Sequence, residues 1–235
     1  MALQELVSMG VKNIITFDAH DPRVNNAIPL DGFDNVQATY QMIKALLKTF
    51  PDIKLDRDHT MIVSPDEGGM GRCIYYSSVL GLELGMFYKR RNYSVIVNGR
   101  NPIEAHEFLG NDIKGKDLIV VDDMISSGES MLDIAAKLKE MGAGRIFIFS
   151  TFGLFVEGLE KFDEYYEKGL IDKIFTTNLI YQTPELLSRD WYRSVNMSKY
   201  IALLIETLNY DNSISGLLDP ADRIKKLLDK YENRD

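Results

Sequence analysis

The stretch Leu118-Ile-Val-Val-Asp-Asp-Met-Ile-Ser-Ser-Gly-Glu-Ser130 decides the fold. Its first four residues form a short apolar run, rich in β-branched side chains, which predicts a buried strand over residues 118–121. An amphipathic pattern over residues 131–141 follows and predicts a helix. In open parallel sheets, ligands bind at the carboxyl ends of strands, close to the N-termini of the following helices. The turn between this strand and this helix is therefore the predicted site.

The same alternation of apolar runs and amphipathic stretches extends along the chain. The other apolar runs are residues 11–17, 60–64, 84–88, 145–151 and 173–177. The other amphipathic stretches are residues 36–47, 155–166, 197–208 and 220–231. Strands that are apolar on both faces and alternate with helices predict an α/β fold, with a parallel sheet flanked by helices. Residues 92–116 interrupt this rhythm and are predicted to form a long loop that covers or binds a ligand.

Composition narrows the class of protein. The 235 residues carry 27 Lys and Arg against 35 Asp and Glu, a net charge of -8, which argues against sequence-independent binding of nucleic acid. No apolar run reaches the roughly 20 residues that a helix needs to cross a bilayer. Cys73 is the one cysteine, which excludes an intramolecular disulfide and fits a reducing compartment. The sequence thus predicts a cytoplasmic protein with neither nucleic acid nor membrane as a partner.

The turn at residues 126–130 carries the candidate chemistry. Ser126, Ser127, Gly128, Glu129 and Ser130 would offer backbone N–H groups, hydroxyls and the positive end of a helix dipole to an anion. We name this turn the phosphate cradle.

Two carboxylates, Asp122 and Asp123, directly precede the cradle and suit the vicinal hydroxyls of a sugar. Carboxylates that accept hydrogen bonds from sugar hydroxyls, next to a turn that binds phosphate, predict a site for ribose 5-phosphate. The same residues allow another interpretation, because Ser126-x-x-Glu129 is also the pattern of a capping box and Asp is common in turns.

Several motifs, taken in chain order, resemble those of the ribose-phosphate pyrophosphokinase (PRPP synthetase) family, which has the type I phosphoribosyltransferase fold. They are Asp18-Ala19-His20, Ser64-Pro65-Asp66-Glu67-Gly68-Gly69 with Arg72, Lys89-Arg90-Arg91, the cradle, Thr151-Phe152-Gly153-Leu154-Phe155, Thr177-Asn178 and Ser213-Ile214-Ser215. The resemblance covers nearly the whole chain.

The resemblance implies transfer of the β,γ-diphosphoryl group of ATP to the 1-hydroxyl of ribose 5-phosphate, with Mg²⁺ as cofactor and a homo-oligomer as the assembly. It also assigns roles to residues outside the cradle. The metal would be bound by His20 and Asp66. The pyrophosphate part of ATP would be bound by Asp66, Glu67, Gly68 and Gly69. The catalytic cations, on a mobile loop, would be Lys89 and Arg91.

The chain departs from the family pattern at three residues. Ser126 stands where relatives carry an acidic residue, Glu129 adds a negative charge to the cradle, and Phe152 stands where the family commonly has histidine. A like charge a few ångströms from a phosphate would cost on the order of 1–4 kcal/mol.

The resemblance also implies a division of the chain. Residues 1–30 are expected to be the remnant of an N-terminal domain, and residues 31–235 a C-terminal phosphoribosyltransferase-like domain whose last helices pack back on the first. A truncated synthetase is thus the leading interpretation. Two alternatives stay open: a non-catalytic subunit associated with PRPP synthetase, which the altered cradle favours, and a phosphoribosyltransferase that consumes PRPP, which the missing acid at Ser126 disfavours.

Overall fold

The computed structural model describes residues 1–91 and 103–232, and the side chains of these residues except 89–91, 103–106 and 232. The strands in these ranges are β1 (Asn13–Phe17), β2 (Gly32–Val36), β3 (Thr60–Ser64), β4 (Glu83–Arg91), β5 (Ile103–Leu109), β6 (Asp117–Ile125), β7 (Ile146–Gly153), β8 (Lys173–Thr177) and β9 (Tyr192–Val195). The helices are α1 (Ala2–Ser8), α2 (Thr39–Thr49), α3 (Met70–Leu80), α4 (Glu129–Glu140), α5 (Glu160–Glu167), α6 (Pro184–Leu187), α7 (Ser198–Asn209), α8 (Ser215–Leu218) and α9 (Ala221–Glu232), with a 3₁₀ helix over Pro22–Ala27.

The main sheet has the strand order β5-β4-β3-β6-β7-β8-β9. All neighbouring pairs from β4 to β9 are parallel. This confirms the predicted α/β fold with a parallel sheet.

One expectation about this sheet was wrong. Residues 103–109, within the segment predicted as a long loop, form β5, which pairs antiparallel with β4. The mixed polarity of Ile-Glu-Ala-His-Glu-Phe-Leu suits an edge strand, which needs fewer apolar side chains than a strand buried on both faces. Phe108 of β5 lies opposite Phe87 of β4, with ring centroids 5.4 Å apart. Residues 92–102 of the predicted loop lie outside the described residues.

Helices cover both faces of the sheet, as predicted. Consecutive residues of β6 alternate between two cores, with Ile119 and Val121 in one and Leu118 and Val120 in the other. Helices α2, α3, α7 and α9 contribute to the first core, and α4 and α5 to the second. None of the helices in the described ranges is long and apolar enough to cross a lipid bilayer.

A small second sheet lies outside the main one. Strands β1 and β2 pair in parallel, with Asn13 opposite Gly32 and Phe17 opposite Val36. This sheet joins residues on both sides of the predicted boundary at residue 30, and α9 packs against α2 and α3. The division of the chain into domains stays a prediction.

Cys73 lies in α3 and has no exposed surface. Its thiol contacts the backbone oxygens of Val63 and Val121, and burial raises its pKa to about 11. We expect the folded protein to react with a disulfide reagent at pH 8 on the order of a hundredfold more slowly than the urea-unfolded protein, since reaction requires the core to open. Absorbance of the released thiolate measures both rates, with glutathione as the control. Full labelling of the folded protein at the rate of glutathione would contradict this prediction.

Candidate active site at the carboxyl edge of the sheet

A cavity of about 200 Å³ lies where β3 and β6 end. It is lined by Asp66 from the segment after β3, by Asp122 from β6, and by all five residues of the phosphate cradle. Apolar side chains of Met131 and Ile134 complete the wall on the side of α4. The predicted turn therefore lies in a concave site, together with one carboxylate from β6 and one from the segment that follows the adjacent β3.

The backbone of the cradle is not that of a capping box. Helix α4 begins at Glu129, and the residue before it, Gly128, has a φ of 83° and provides no side-chain cap. The Glu129 N–H donates to Ser127 Oγ over a long 3.4 Å, and not to Ser126. The capping-box interpretation is therefore wrong, and the first turn of α4 offers a positive helix end to the cavity.

Residues beyond the cradle fix its shape. A Cβ at Gly128 would lie 2.1 Å from Cζ of Phe162, a buried residue of α5. The Val156 N–H donates to the backbone oxygen of Ser126 at 3.0 Å, and the Leu154 N–H to that of Ile125 at 2.8 Å. Phe162 could not be identified from the sequence, because one aromatic residue in an amphipathic stretch carries no sign of the distant turn that it supports.

Glu129 pairs with a lysine outside the cradle. Its carboxylate lies 3.5 Å from Nζ of Lys161, which lies equally close to Glu157, and the Glu129 side chain is 68% exposed. Solvent and this lysine therefore screen the negative charge that the sequence analysis identified as a departure.

Asp122 and Asp123 lie next to each other near the end of β6, and both approach Arg72. The strand was predicted to end at residue 121 but continues to Ile125, so both aspartates lie inside it. Asp122 lines the cavity, whereas the oxygens of Asp123 contact Nδ1 of His20 at 3.0 Å and Nη2 of Arg72 at 3.8 Å.

The two aspartates have opposite pKa shifts. Burial, with the neighbouring Asp123 carboxylate, raises the pKa of Asp122. For Asp123 burial acts in the same direction, but hydrogen bonds to Asp122 and His20 outweigh it and lower the pKa. The hydrogen bond to Asp123 raises the pKa of His20, whose side chain is 83% exposed. Asp123 is thus the carboxylate that stays ionised most readily.

Arg72 joins this pair to a third carboxylate. Its Nη2 lies 2.8 Å from Oδ1 of Asp18, and its Nη1 lies 3.9 Å from Oδ1 of Asp122. Asp18 has a φ of 45° and accepts a hydrogen bond of 2.6 Å from Thr151 Oγ1. Arg72 is part of a motif in the sequence, but its contacts with three acidic side chains could not be predicted from that motif.

The turn after β3 is held by its own side chains. Asp66 Oδ1 accepts from the Gly69 N–H at 3.2 Å, and Ser64 Oγ donates to the Asp66 backbone oxygen at 2.7 Å. A Cβ at Gly69 would lie 2.9 Å from Ser64 Oγ, so glycine is required there for packing. Glu67, Gly68 and Gly69 do not line the cavity described above.

The donor set suits a hard cation that shares its ligands with a substrate. Among the described residues, no group of three or more His, Cys, Asp or Glu side chains could hold a metal ion alone. Mg²⁺ is commonly bound by one or two carboxylates together with phosphate oxygens and water, and Asp66 and Asp122 line one cavity. The residues present therefore fit such an ion. Lys89 and Arg91 lie in β4, and their side chains are outside the described part of the structure.

One protein-family model matches more than half of this chain. The model of the phosphoribosyl synthetase-associated domain matches residues 94–219.

Curated relatives match over a larger part of the chain. The ribose-phosphate pyrophosphokinase of Ureaplasma parvum serovar 3 is 30% identical over 199 residues, which are 85% of this chain and 56% of that protein. That of Shewanella oneidensis is 30% identical over 213 residues, 90% of this chain and 62% of that protein. The chain thus spans less than two thirds of the length of these relatives.

The fold also matches a solved structure. The phosphoribosylpyrophosphate synthetase of Mycobacterium smegmatis superposes with a TM-score of 0.71 at 19% identity, covering 89% of this chain and 62% of that one. At this identity the likeness shows the fold alone, and it confirms the predicted type I phosphoribosyltransferase-like architecture.

Proposed function

Because the chain belongs to the phosphoribosyl synthetase-associated domain family, we propose that it is a ribose-phosphate diphosphokinase. It would transfer the diphosphoryl group of ATP to the 1-hydroxyl of ribose 5-phosphate. The observation that carries this proposal is the cavity of about 200 Å³, which is lined by the cradle, by Asp122 of β6 and by Asp66 from the segment after β3. The names of the curated relatives agree with this activity.

Ribose 5-phosphate would bind with its phosphate on residues 126–130. The positive end of α4 and the serine hydroxyls would receive the phosphate oxygens. The carboxylate of Asp122, which lines the same cavity, would accept hydrogen bonds from the ring hydroxyls. A role of Asp123 at a hydroxyl stays a prediction, since its oxygens contact His20 and Arg72.

ATP would bind over the turn after β3, with Asp66, Glu67, Gly68 and Gly69 at its pyrophosphate part. Mg²⁺ would be held by Asp66 together with phosphate oxygens and would neutralise charge on the transferred group. His20 stays a predicted ligand, since its Nδ1 lies 3.0 Å from Asp123 and it does not line the cavity that contains Asp66. Asp66 orients this turn through its contact with the Gly69 N–H.

Lys89 and Arg91 are the proposed catalytic residues. Phosphoryl transfer depends mainly on positioning and on neutralising charge, and two cations near the transferred group would supply both. Their position at the end of β4, which neighbours β3, brings their backbone towards the turn that carries Asp66.

The test is an assay of AMP release from ATP in the presence of Mg²⁺, with and without ribose 5-phosphate. AMP release that depends on the sugar phosphate supports the proposal. Binding of ribose 5-phosphate without turnover would indicate the non-catalytic subunit instead. Release of pyrophosphate from PRPP on addition of a nucleobase would indicate a phosphoribosyltransferase.

Removing the charge of Glu129 should strengthen binding of the sugar phosphate only slightly. We expect Glu129→Gln to bind ribose 5-phosphate about two- to fivefold more tightly, because an exposed and paired carboxylate exerts a weak, screened repulsion. Isothermal titration calorimetry at low and at high salt measures the effect, and Glu157→Gln on the same lysine is the matched control. A gain of a hundredfold would mean that the carboxylate points into the cradle.

Three further predictions accompany this function. We propose that the protein forms a homo-oligomer, that it acts in the cytoplasm, and that residues 1–30 and 31–235 belong to different domains. Size-exclusion chromatography with light scattering tests the first of these directly.

A further inference from the structure

A second and larger cavity, of about 420 Å³, lies away from the cradle. Its walls come from α2, α7 and α9 and from the end of β9. These three helices contribute to the core on one face of the sheet, whereas α4, which follows the cradle, contributes to the other. We name this space the basic cavity.

Five cationic side chains line the basic cavity, namely Lys44, Lys48, Arg193, Lys199 and Arg223. In the part of the chain that the structure describes, none of the residues lining it is acidic. The ion pairs found between described residues include none of these five cations. A chain with a net charge of -8 thus concentrates positive charge at one concave place. These cations repel one another until an anion neutralises their charge.

The side chains at one end of the cavity are held in place. Arg223 Nη2 donates to the backbone oxygen of Leu217 at 3.0 Å, and the Tyr200 hydroxyl donates to the same oxygen at 2.7 Å. The Arg223 guanidinium lies 5.5 Å from the centre of the Tyr40 ring. Its Nε is buried and finds no hydrogen-bond partner in the described residues. A guanidinium that is held in place in this way loses little conformational freedom when it binds an anionic ligand.

The Tyr40 ring adds an apolar surface between cations. Nζ of Lys44 lies 5.8 Å from the ring centre, and Arg223 also lies close to the ring. The volume of the cavity is in the range of roughly 300–1,000 Å³ that is typical of sites for small organic ligands. Lysines act as point charges and arginines as planar forks, and phosphoryl groups accept from both.

We propose that the basic cavity binds a small molecule that carries two or more phosphoryl groups. A cavity lined by five cations and by no acidic residue suits a ligand with several negative charges, and the ring of Tyr40 offers contact to the body of such a molecule. This site is separate from the cradle, so the proposal does not depend on the activity proposed above.

Lysine acetylation of the whole chain, quantified by mass spectrometry, tests the proposal residue by residue. Inorganic tripolyphosphate is the probe. At saturation we expect it to slow acetylation of Lys44, Lys48 and Lys199 at least tenfold, and to leave Lys114 and Lys168 unchanged. Equal protection of all five lysines, or protection of none, would overturn the proposal. If orthophosphate at the same concentration protects as well, the requirement for two phosphoryl groups is wrong.

Calorimetry with variants gives an independent test. Lys48→Gln/Lys199→Gln should weaken tripolyphosphate binding at the basic cavity at least tenfold. Lys114→Gln/Lys168→Gln changes the net charge equally and should leave this binding unchanged. Identical binding curves for the two double variants would refute the site.

Binding at the cradle is separated from binding at the basic cavity by Gly128→Ala, because neither Gly128 nor Phe162, which its new Cβ would meet, lines the basic cavity. Protection of the three cavity lysines should persist in that variant. Loss of this protection would mean that the probe acts through the cradle, and the proposal would fall even if the enzymatic activity were demonstrated.

Discussion

Gly128→Ala should weaken the binding of ribose 5-phosphate on the order of a hundredfold or more, because the turn that would receive the phosphate cannot keep its shape. A left-handed φ costs a non-glycine residue about 1–2 kcal/mol, and Gly128 has a φ of 83°. The new Cβ would also lie 2.1 Å from Cζ of Phe162, which is fully buried and cannot withdraw. The turn must therefore shift, and with it the residues that line the cavity.

Isothermal titration calorimetry with ribose 5-phosphate measures this loss, and thermal unfolding shows whether the variant still folds. Gly169→Ala is the matched control, since Gly169 has a φ of 67° but no atom within 4 Å of an added Cβ. It shares the backbone strain and should bind normally. In Gly128→Ala/Phe162→Leu the ring is gone, so part of the affinity should return. Unchanged affinity in Gly128→Ala would show that the cradle does not hold the phosphate.

Two core strands of the sheet could be predicted from the sequence residue by residue. The predicted bounds of β3 and β8 agree with the structure, because each strand has an apolar centre and is buried on both faces. The neighbouring β6 was predicted to end at residue 121 but continues through two aspartates to Ile125. Local composition therefore locates the apolar centre of a buried strand, but not the end of a strand that continues into polar residues.

The strands at the margins could not be predicted in the same way. Strands β2, β5 and β9 read Gly-Phe-Asp-Asn-Val, Ile-Glu-Ala-His-Glu-Phe-Leu and Tyr-Arg-Ser-Val. Strands β5 and β9 are the edges of the main sheet, and β2 belongs to the small sheet. Such strands accept charged and polar side chains, and therefore their sequences resemble those of loops.

The position of the candidate site could be predicted from the sequence, but the residues that hold it in place could not. The cradle lies at the predicted junction of a strand and a helix, since that junction is determined by neighbouring residues. The position of Asp122 and Asp123 beside Arg72 depends on the four further residues of β6, which local propensity did not reveal. The contact of Arg72 with Asp18 spans 54 positions, and no periodic pattern marks a contact at that separation.

Arg72→Met should destabilise the folded protein by about 3–5 kcal/mol, the usual consequence of removing one partner from a buried ion pair. The Arg72 side chain is 9% exposed, and without it Asp18, Asp122 and Asp123 would repel one another with their counter-ion gone. Methionine preserves much of the volume of the side chain, so the decrease in the free energy of unfolding reflects the lost charge more than lost packing. The midpoint and slope of urea unfolding, followed by circular dichroism, give the change in the free energy of unfolding.

Arg23→Met is the control that isolates burial. Arg23 Nη2 lies 2.8 Å from Asp21, the same distance as between Arg72 Nη2 and Asp18, but the Arg23 side chain is 81% exposed. Water already solvates both charges of the exposed pair, so removing the Arg23 charge should leave the urea midpoint unchanged. An equal shift of the urea midpoint in both variants would mean that the N–O distance of the ion pair, and not its burial, determines its contribution to stability. The three carboxylates around Arg72 would then owe their arrangement to the fold of the strands, and not to the cation between them.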